Sequence, residues 1–375
     1  MAGLFKDRFD RGSLYKLAKE IHAVYDEFRI AEFLDSTMDI SWDSLEFKQR
    51  VMRISENLGK YLPQDYKTAL RIIDKVILNY DVCLDGFVVF FPGFVELYGQ
   101  GEENWDVSMA ALARYTPYAS AEFAVRSFIL NDRERMMAQM AVWAKDDNEH
   151  VRRLACEGCR PRLPWGQALP CFRKDPFPVL RILEQLKADP SPYVRKSVAN
   201  CLNDISKTHP ALVVKIAKDL YGKDERTDRI LKHGCRTLLK NGDREVLGIF
   251  GFEDDGSVKV DGFSLGAASV AIGEDLTFSF TVRAENATKL RLEYGIDYVK
   301  ANGKRNRKIF RISESVFKDN GKKFYTKTHS FADASTRKHY AGIHSVTLIA
   351  NGVPRGTLDF ELSDVKQSVG NFGTH

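Results

Sequence analysis

The sequence predicts a chain in two parts, an all-α helical-repeat solenoid followed by a small all-β sandwich. Three observations predict it. Apolar residues recur three and four apart up to about residue 250, a 43-residue self-similarity runs inside that region, and short alternating stretches take over beyond about residue 257. A length of 375 residues suits two domains, or one long array with an appendage.

The helical half is read from patterns such as Leu14-Leu17-Ala18-Ile21, Val51-Ile54-Leu58 and Leu70-Ile73-Val76-Ile77. Within it, Asp146-Asp147-Asn148-Glu149-His150-Val151-Arg152-Arg153-Leu154-Ala155 returns 43 residues later as Asp189-Pro190-Ser191-Pro192-Tyr193-Val194-Arg195-Lys196-Ser197-Val198. Thr227-Asp228-Arg229-Ile230-Leu231 is a looser copy and Ala124-Val125-Arg126 a shorter one. An Asp or Ser that can accept from free backbone N–H groups, then Val-Arg, then small and apolar residues, is the pattern of a HEAT-type helix pair. Such pairs cannot bury their apolar faces alone, so copies stack.

The β-rich half is read from Leu276-Phe278-Phe280-Val282, Leu290-Leu292-Tyr294 and Val346-Leu348-Ala350, punctuated by Asn302-Gly303, Asn320-Gly321 and Asn351-Gly352. The expected domains are 1–252 and 257–364, divided in the Gly/Asp-rich piece Gly251–Gly256, with a frayed tail over 365–375.

Composition narrows the function classes. A hydrophobic content of 44% and a charged content of 29% exclude wholesale disorder and collagen-like sequence. The longest apolar run, around Phe87 to Val95, is broken by Pro92 and too short to cross a bilayer, so no membrane partner is expected. No export leader is recognised, and six cysteines are few for a disulfide frame, which together predict a cytoplasmic protein. Residues 146–252 hold 20 Lys and Arg against 14 Asp and Glu, while residues 1–145 hold 18 against 22. A basic middle after an acidic start suggests an anionic partner there.

Over Asn148 to Arg160, Val151, Leu154, Ala155 and Gly158 make the inward stripe, and Arg153, Glu157 and Arg160 share another. The repeat offset carries that second stripe to Lys196, Asn200 and Asn203, with Asp204 and Lys207 following. Arg160-Pro161-Arg162-Leu163-Pro164-Trp165-Gly166 then sets a large aromatic on a proline-stiffened loop beside two arginines, where it can stack on a base or pack in a core. Cys156-x-x-Cys159 is half a zinc pattern without a second pair, so no metal is expected. Phosphate-binding glycine loops and nucleophile elbows are absent, and His233 reads as structural.

At these residues the chain resembles the AlkC branch of the AlkC/AlkD alkylation-repair DNA glycosylases. Asp147 through Trp165 and Asp189 through Lys207 carry the resemblance, the Arg-Arg-Leu-x-x-Glu-Gly-x-Arg-Pro-Arg-Leu-Pro-Trp run being its most specific part. A C-terminal immunoglobulin-like domain, found in a subset of such proteins, matches the β-rich end. The resemblance implies excision of N3-methylated bases, 3-methyladenine and 3-methylcytosine, from double-stranded DNA. It implies Glu157 as a catalytic carboxylate and Trp165 at the lesion. Tyr118 and Glu122 stand at the spacing at which the AlkD branch has a Trp and an Asp, which would make Glu122 the second carboxylate and Tyr118 a base contact. No cofactor is implied.

Arg153, Arg160, Arg162, Arg195, Lys196, Asn200, Asp204 and Lys207 would grip DNA, with Lys304, Arg305, Arg307 and Lys308 as a basic hairpin tip in the β domain. A monomer near bacterial nucleoid DNA is the simplest expectation. The alternatives are a non-catalytic repeat protein that binds damaged or branched DNA, and a protein-interaction scaffold.

Overall fold

The computed structural model describes residues 5–82, 87–333 and 338–364. Cys83 and the expected tail, 365–375, lie outside them. Among the described residues, sixteen α-helices, from Arg11–Val24 to Arg244–Ile249, precede eight strands.

Where the sequence repeats, so does the local structure. Asp146 Oδ1 accepts from the Asn148 amide at 2.8 Å, and Asn148 caps the Glu149–Glu157 helix by accepting from the His150 amide at 2.9 Å. In the next copy Asp189 Oδ1 accepts from the Ser191 amide at 2.8 Å, and the Ser191 hydroxyl caps the Pro192–Ser206 helix. The Arg of each Val-Arg pair folds back over its own loop. Arg152 Nη1 donates to the carbonyls of Asp146 and Asp147 at 2.9 and 2.8 Å, as Arg195 Nη1 does to those of Asp189 and Pro190 at 2.7 and 2.8 Å. Arg152 also forks onto buried Asp189, which ties one copy to the next.

These ties set the helices side by side, the Glu149–Glu157 helix on the Pro192–Ser206 helix and that on the Glu225–Gly234 helix. Val151, Leu154 and Ala155 are buried from the first helix, and Val194, Val198, Cys201, Leu202 and Ile205 from the second. Each Leu, Ile or Val so buried contributes roughly 1.5–3 kcal/mol. The stripe holding Arg153, Glu157 and Arg160 is thereby held in one position relative to Asp204.

The eight strands are β1 (Val258–Leu265), β2 (Ser269–Ala271), β3 (Asp275–Ala284), β4 (Thr288–Val299), β5 (Arg305–Phe317), β6 (Gly321–Ser330), β7 (Gly342–Ala350) and β8 (Val353–Ser363). They form a three-stranded sheet, β1-β3-β6, and a five-stranded sheet, β2-β8-β7-β4-β5, antiparallel except where β2 meets β8. The alternating residues Leu276, Phe278, Phe280 and Val282 of β3 share one core with Leu290, Leu292, Tyr294 and Ile296 of β4 and Val346 and Leu348 of β7. The three Asn-Gly pairs fall at the hairpins between β4 and β5, β5 and β6, and β7 and β8. Asn351 and Gly352 adopt φ of 47° and 78°, the left-handed pair that a two-residue hairpin uses.

The chain resolves into two compact units, the second made of Val214–Asp219 and the chain from Cys235 onward, so that it includes helical residues before the first strand. In that unit Lys289 Nζ donates to the Phe250 carbonyl at 2.7 Å and Asn351 Nδ2 to the Glu253 carbonyl at 2.9 Å. The Gly251–Gly256 piece therefore divides helices from strands, while the helices Arg236–Lys240 and Arg244–Ile249 pack as part of the C-terminal unit. Helical periodicity alone could not assign them, because it registers an apolar face and not what covers it.

Candidate active site

The side chains at the end of the Glu149–Glu157 helix form one line of alternating charge. Arg153 Nη1 donates to Glu122 Oε2 at 2.8 Å, and its Nη2 lies 3.6 Å from Glu157 Oε1. Arg160 Nη1 donates to the same Glu157 oxygen at 2.6 Å, and its Nε to Asp204 Oδ2 at 2.9 Å. Lys207 Nζ closes the line 3.7 Å from Asp204 Oδ1. Glu157 is only 4% exposed, and its second oxygen accepts from the Ser197 hydroxyl at 2.6 Å. Glu122 is less enclosed. Its Oε2 takes Ser120 at 2.7 Å as well as Arg153, and among the described residues Oε1 has no hydrogen-bond partner.

Burial opposes charge on both arginines, but their neighbouring carboxylates outweigh it. Glu122 and Glu157 hold Arg153 above its ordinary value, and Glu157 and Asp204 do the same for Arg160. Arg153 also lies over the Tyr193 ring, 4.6 Å from its centroid. Three carboxylates meet three cations along this line, so its formal charge is zero while Lys207 is counted. Lys207 has the longest of these contacts to its partner and a side chain 41% exposed. It is the cation most easily drawn away by a phosphate.

The loop after Arg160 brings out Trp165, which is 71% exposed at a φ of 60°. A bulky side chain in the left-handed region costs on the order of 1–3 kcal/mol, and such strain clusters at functional sites. The indole lies 6.1 Å from the Phe47 ring and otherwise faces outward, so of the two sequence readings the core-packed one is excluded.

The other predicted residues separate. Tyr118 lines a cleft with Asp74, Arg114, Asp146, Asn148 and Val151, beside the opposite end of the helix that ends at Glu157. Arg195 is committed to loop carbonyls, a repeat-holding task rather than an open cation. Lys196 is exposed, Asn200 is half-buried, and half-buried Arg162 keeps its Nε without a hydrogen-bond partner among the described residues. In the C-terminal unit the turn itself is Ala301-Asn302-Gly303, so Arg305, Arg307 and Lys308 lie on β5 instead of at a hairpin tip, with Lys304 just before them. Arg305 donates to the Ser345 hydroxyl at 2.9 Å and Arg307 forks onto Asp297 at 2.8 and 2.6 Å, while Lys304 and Lys308 are exposed. Alternation along a strand sends neighbouring basic residues to opposite faces, which a run of charges in the sequence does not reveal.

Sequence reasoning missed Ser120, Ser197 and Tyr193. Ser197 stands 43 residues after Leu154, a serine where the earlier copy has a core leucine, and that break in the apolar stripe was the available signal. Among the described residues no group of His, Cys, Asp or Glu is placed to hold a metal ion, and Cys159 donates to the Ala155 and Cys156 carbonyls of the helix before it. No helix among them is long and apolar enough to cross a membrane.

A family model described as "DNA alkylation repair enzyme" matches residues 118–238, which include this line of charge. A second, described as "Uncharacterised protein YhaZ, C-terminal Ig-like domain", matches residues 259–364. The chain is 44% identical over 357 residues to the uncharacterized protein YhaZ of Bacillus subtilis (strain 168), covering 95% of this chain and 99% of that one. It is also 38% identical to the Pseudomonas fluorescens alkylpurine DNA glycosylase AlkC, solved bound to DNA containing an abasic site analog, with a TM-score of 0.91 over 96% of this chain and 99% of that one. The chain belongs to the AlkC family of DNA glycosylases. Its helical-repeat region followed by an immunoglobulin-like sandwich is the architecture of an AlkC-type enzyme, and the line from Glu122 to Lys207 lies in the part that matches alkylation repair.

Proposed function

We propose that this AlkC-type chain hydrolyses the N-glycosidic bond of N3-methylated bases, 3-methyladenine and 3-methylcytosine, in double-stranded DNA. One observation carries the reading. Two carboxylates hang on one guanidinium and are held differently, and the loop that follows Glu157 carries an exposed tryptophan in a strained backbone. Methylation at N3 makes the base cationic, so it leaves without being protonated and no general acid is required. Water forms a bond to C1′ as the C1′–N bond breaks, the electron pair neutralises the departing base, and the proton from water goes to a carboxylate.

The differing environments divide the labour. Glu157, enclosed and saturated by Arg160, Arg153 and Ser197, supplies fixed negative charge to an oxocarbenium-like sugar. Glu122, with its open oxygen, takes the proton. A phosphate that engages Lys207 removes one cation from a neutral line and leaves the carboxylates with a net negative charge near the sugar. Trp165 stacks on or beside the lesion, where its ring face attracts a cation.

In this reading the helical part is a HEAT-like solenoid on which one monomer holds the duplex. Arg162, Lys196, Asn200 and Lys207 line the DNA side, with Arg153, Arg160 and Asp204 behind them holding the carboxylates in place, while Lys304 and Lys308 of the C-terminal unit contact phosphates. The test is base release from duplexes carrying 3-methyladenine, 3-methylcytosine or uracil. The two cationic bases should be released and neutral uracil retained. Release of uracil at a comparable rate would refute a mechanism without a general acid, and binding without any release would favour a non-catalytic damage binder.

A further inference from the structure

Arg126 is the largest of the fully buried side chains, with 0% exposure, and among the described residues no carboxylate pairs with it. A buried guanidinium without a counterion costs stability unless its donors are occupied. Burial draws its pKa down to about 10, and the positive charge of Arg160 acts in the same direction. Nε and Nη1 are spent on backbone, while Nη2 is buried without a hydrogen-bond partner among the described residues. Nη1 donates to the Gly158 and Arg160 carbonyls at 2.9 and 3.0 Å, and Nε to the Gln167 carbonyl at 2.5 Å.

Those acceptors are the two ends of one loop. Gly158 follows the catalytic Glu157, Arg160 is the residue that grips Glu157 and Asp204, and Gln167 lies two positions after Trp165. The loop between them holds the strained Trp165, and the Gly166 amide donates to the Leu163 carbonyl at 3.1 Å. Gly158 lets the Val125–Asn131 helix approach, because a Cβ there would lie 2.5 Å from Val125 Cγ2. Carbonyls at a helix C-terminus carry partial negative charge, which suits a cation.

We infer that Arg126 is a positioning residue, a clasp that closes the 158–167 loop and so fixes Trp165 and Arg160 relative to Glu157. This rests on the reading that Trp165 meets the lesion. A planar fork reaches three carbonyls at once, which a lysine ammonium on its flexible stem does not reproduce.

The test is a double-mutant cycle in the full chain. Arg126→Met, Arg126→Lys, Trp165→Ala and the doubles are compared in single-turnover release of 3-methyladenine, in affinity for abasic-site-analogue duplex, and in acrylamide quenching of the exposed tryptophan. Arg126→Met and Trp165→Ala should each slow release by about 10- to 100-fold, as small misplacements do. Their double should lose little more, and Arg126→Met should raise quenching while affinity holds. Losses that multiply in the double would mark Arg126 as merely structural and overturn the clasp. If Arg126→Met does not fold, Arg126→Lys decides, since wild-type release and quenching in that protein also overturn it. Should Trp165→Ala alone keep full activity, the lesion-contact reading fails, and raised quenching in Arg126→Lys still distinguishes a working clasp from none.

Discussion

Glu157 and Glu122 share Arg153, yet only Glu157 has both oxygens occupied. That contrast makes the serine opposite Glu157 a sensitive position. Ser197→Ala leaves a buried carboxylate oxygen unsatisfied and should cost about 1–3 kcal/mol of stability, read as a lower denaturation midpoint with base release also slowed. An unchanged midpoint would mean that the hydroxyl contributes nothing to holding Glu157. Trp165 gives the opposite sign. Trp165→Gly removes a bulky residue from a φ of 60° and should stabilise the chain by about 1 kcal/mol or more while lowering activity, a trade expected where strain serves function. A glycine variant that is both less stable and fully active would contradict the claim that strain is held there for the lesion.

At the scale of elements, the repeated Val-Arg pairs separate two kinds of cation. Arg195 secures the turn before the Pro192–Ser206 helix, whereas its neighbour Lys196 is exposed. Arg195→Met should therefore lower the thermal midpoint with little change in the salt dependence of DNA binding. Lys196→Ala should leave stability alone and reduce the salt slope by about one, and equal slopes for both would erase the distinction.

The helix starts and the repeat were legible because caps and apolar spacing are local. The 43-residue offset also placed Lys196 and Asn203 on the stripe that continues from Arg153 and Glu157, with Asp204 beside it. Which arginine faces its own loop was not legible. Residues 152 and 153 are adjacent in sequence, and only the path of the preceding turn decides that Arg152 bends back while Arg153 reaches Glu122.

Across the whole molecule, the line of paired charge from Glu122 to Lys207 lies in the first compact unit, and the second carries its own pH sensitivity. Burial lowers the pKa of His344, whose Nδ1 donates to the Gly342 carbonyl at 3.0 Å while Nε2 accepts from the Val299 amide at 3.2 Å. The fold thus prefers the neutral ring. Stability is whole above the ordinary value of 6.5 and is lost as pH falls through the lower folded value, by at most about 1.4 kcal/mol per pH unit. Denaturation midpoints at pH 7.5 and 5.5 should fall on acidification, and less so in His344→Gln, whose amide can both accept and donate. No run of residues announced this histidine, because its partners are backbone groups at the end of β4 and the start of β7, strands far apart in the sequence. The sandwich itself was legible, since strict alternation with Asn-Gly turns leaves little choice of fold class.

The most direct test of the two-carboxylate account is single-turnover release of 3-methyladenine by Glu122→Gln and Glu157→Gln, measured beside affinity for abasic-site-analogue duplex. Glu122→Gln, which removes the base, should slow release by about 10² to 10⁴, and Glu157→Gln, which removes the fixed charge, by about 10² to 10³, while affinity stays near that of the unsubstituted chain. Wild-type release from either variant would show that the chemistry lies elsewhere.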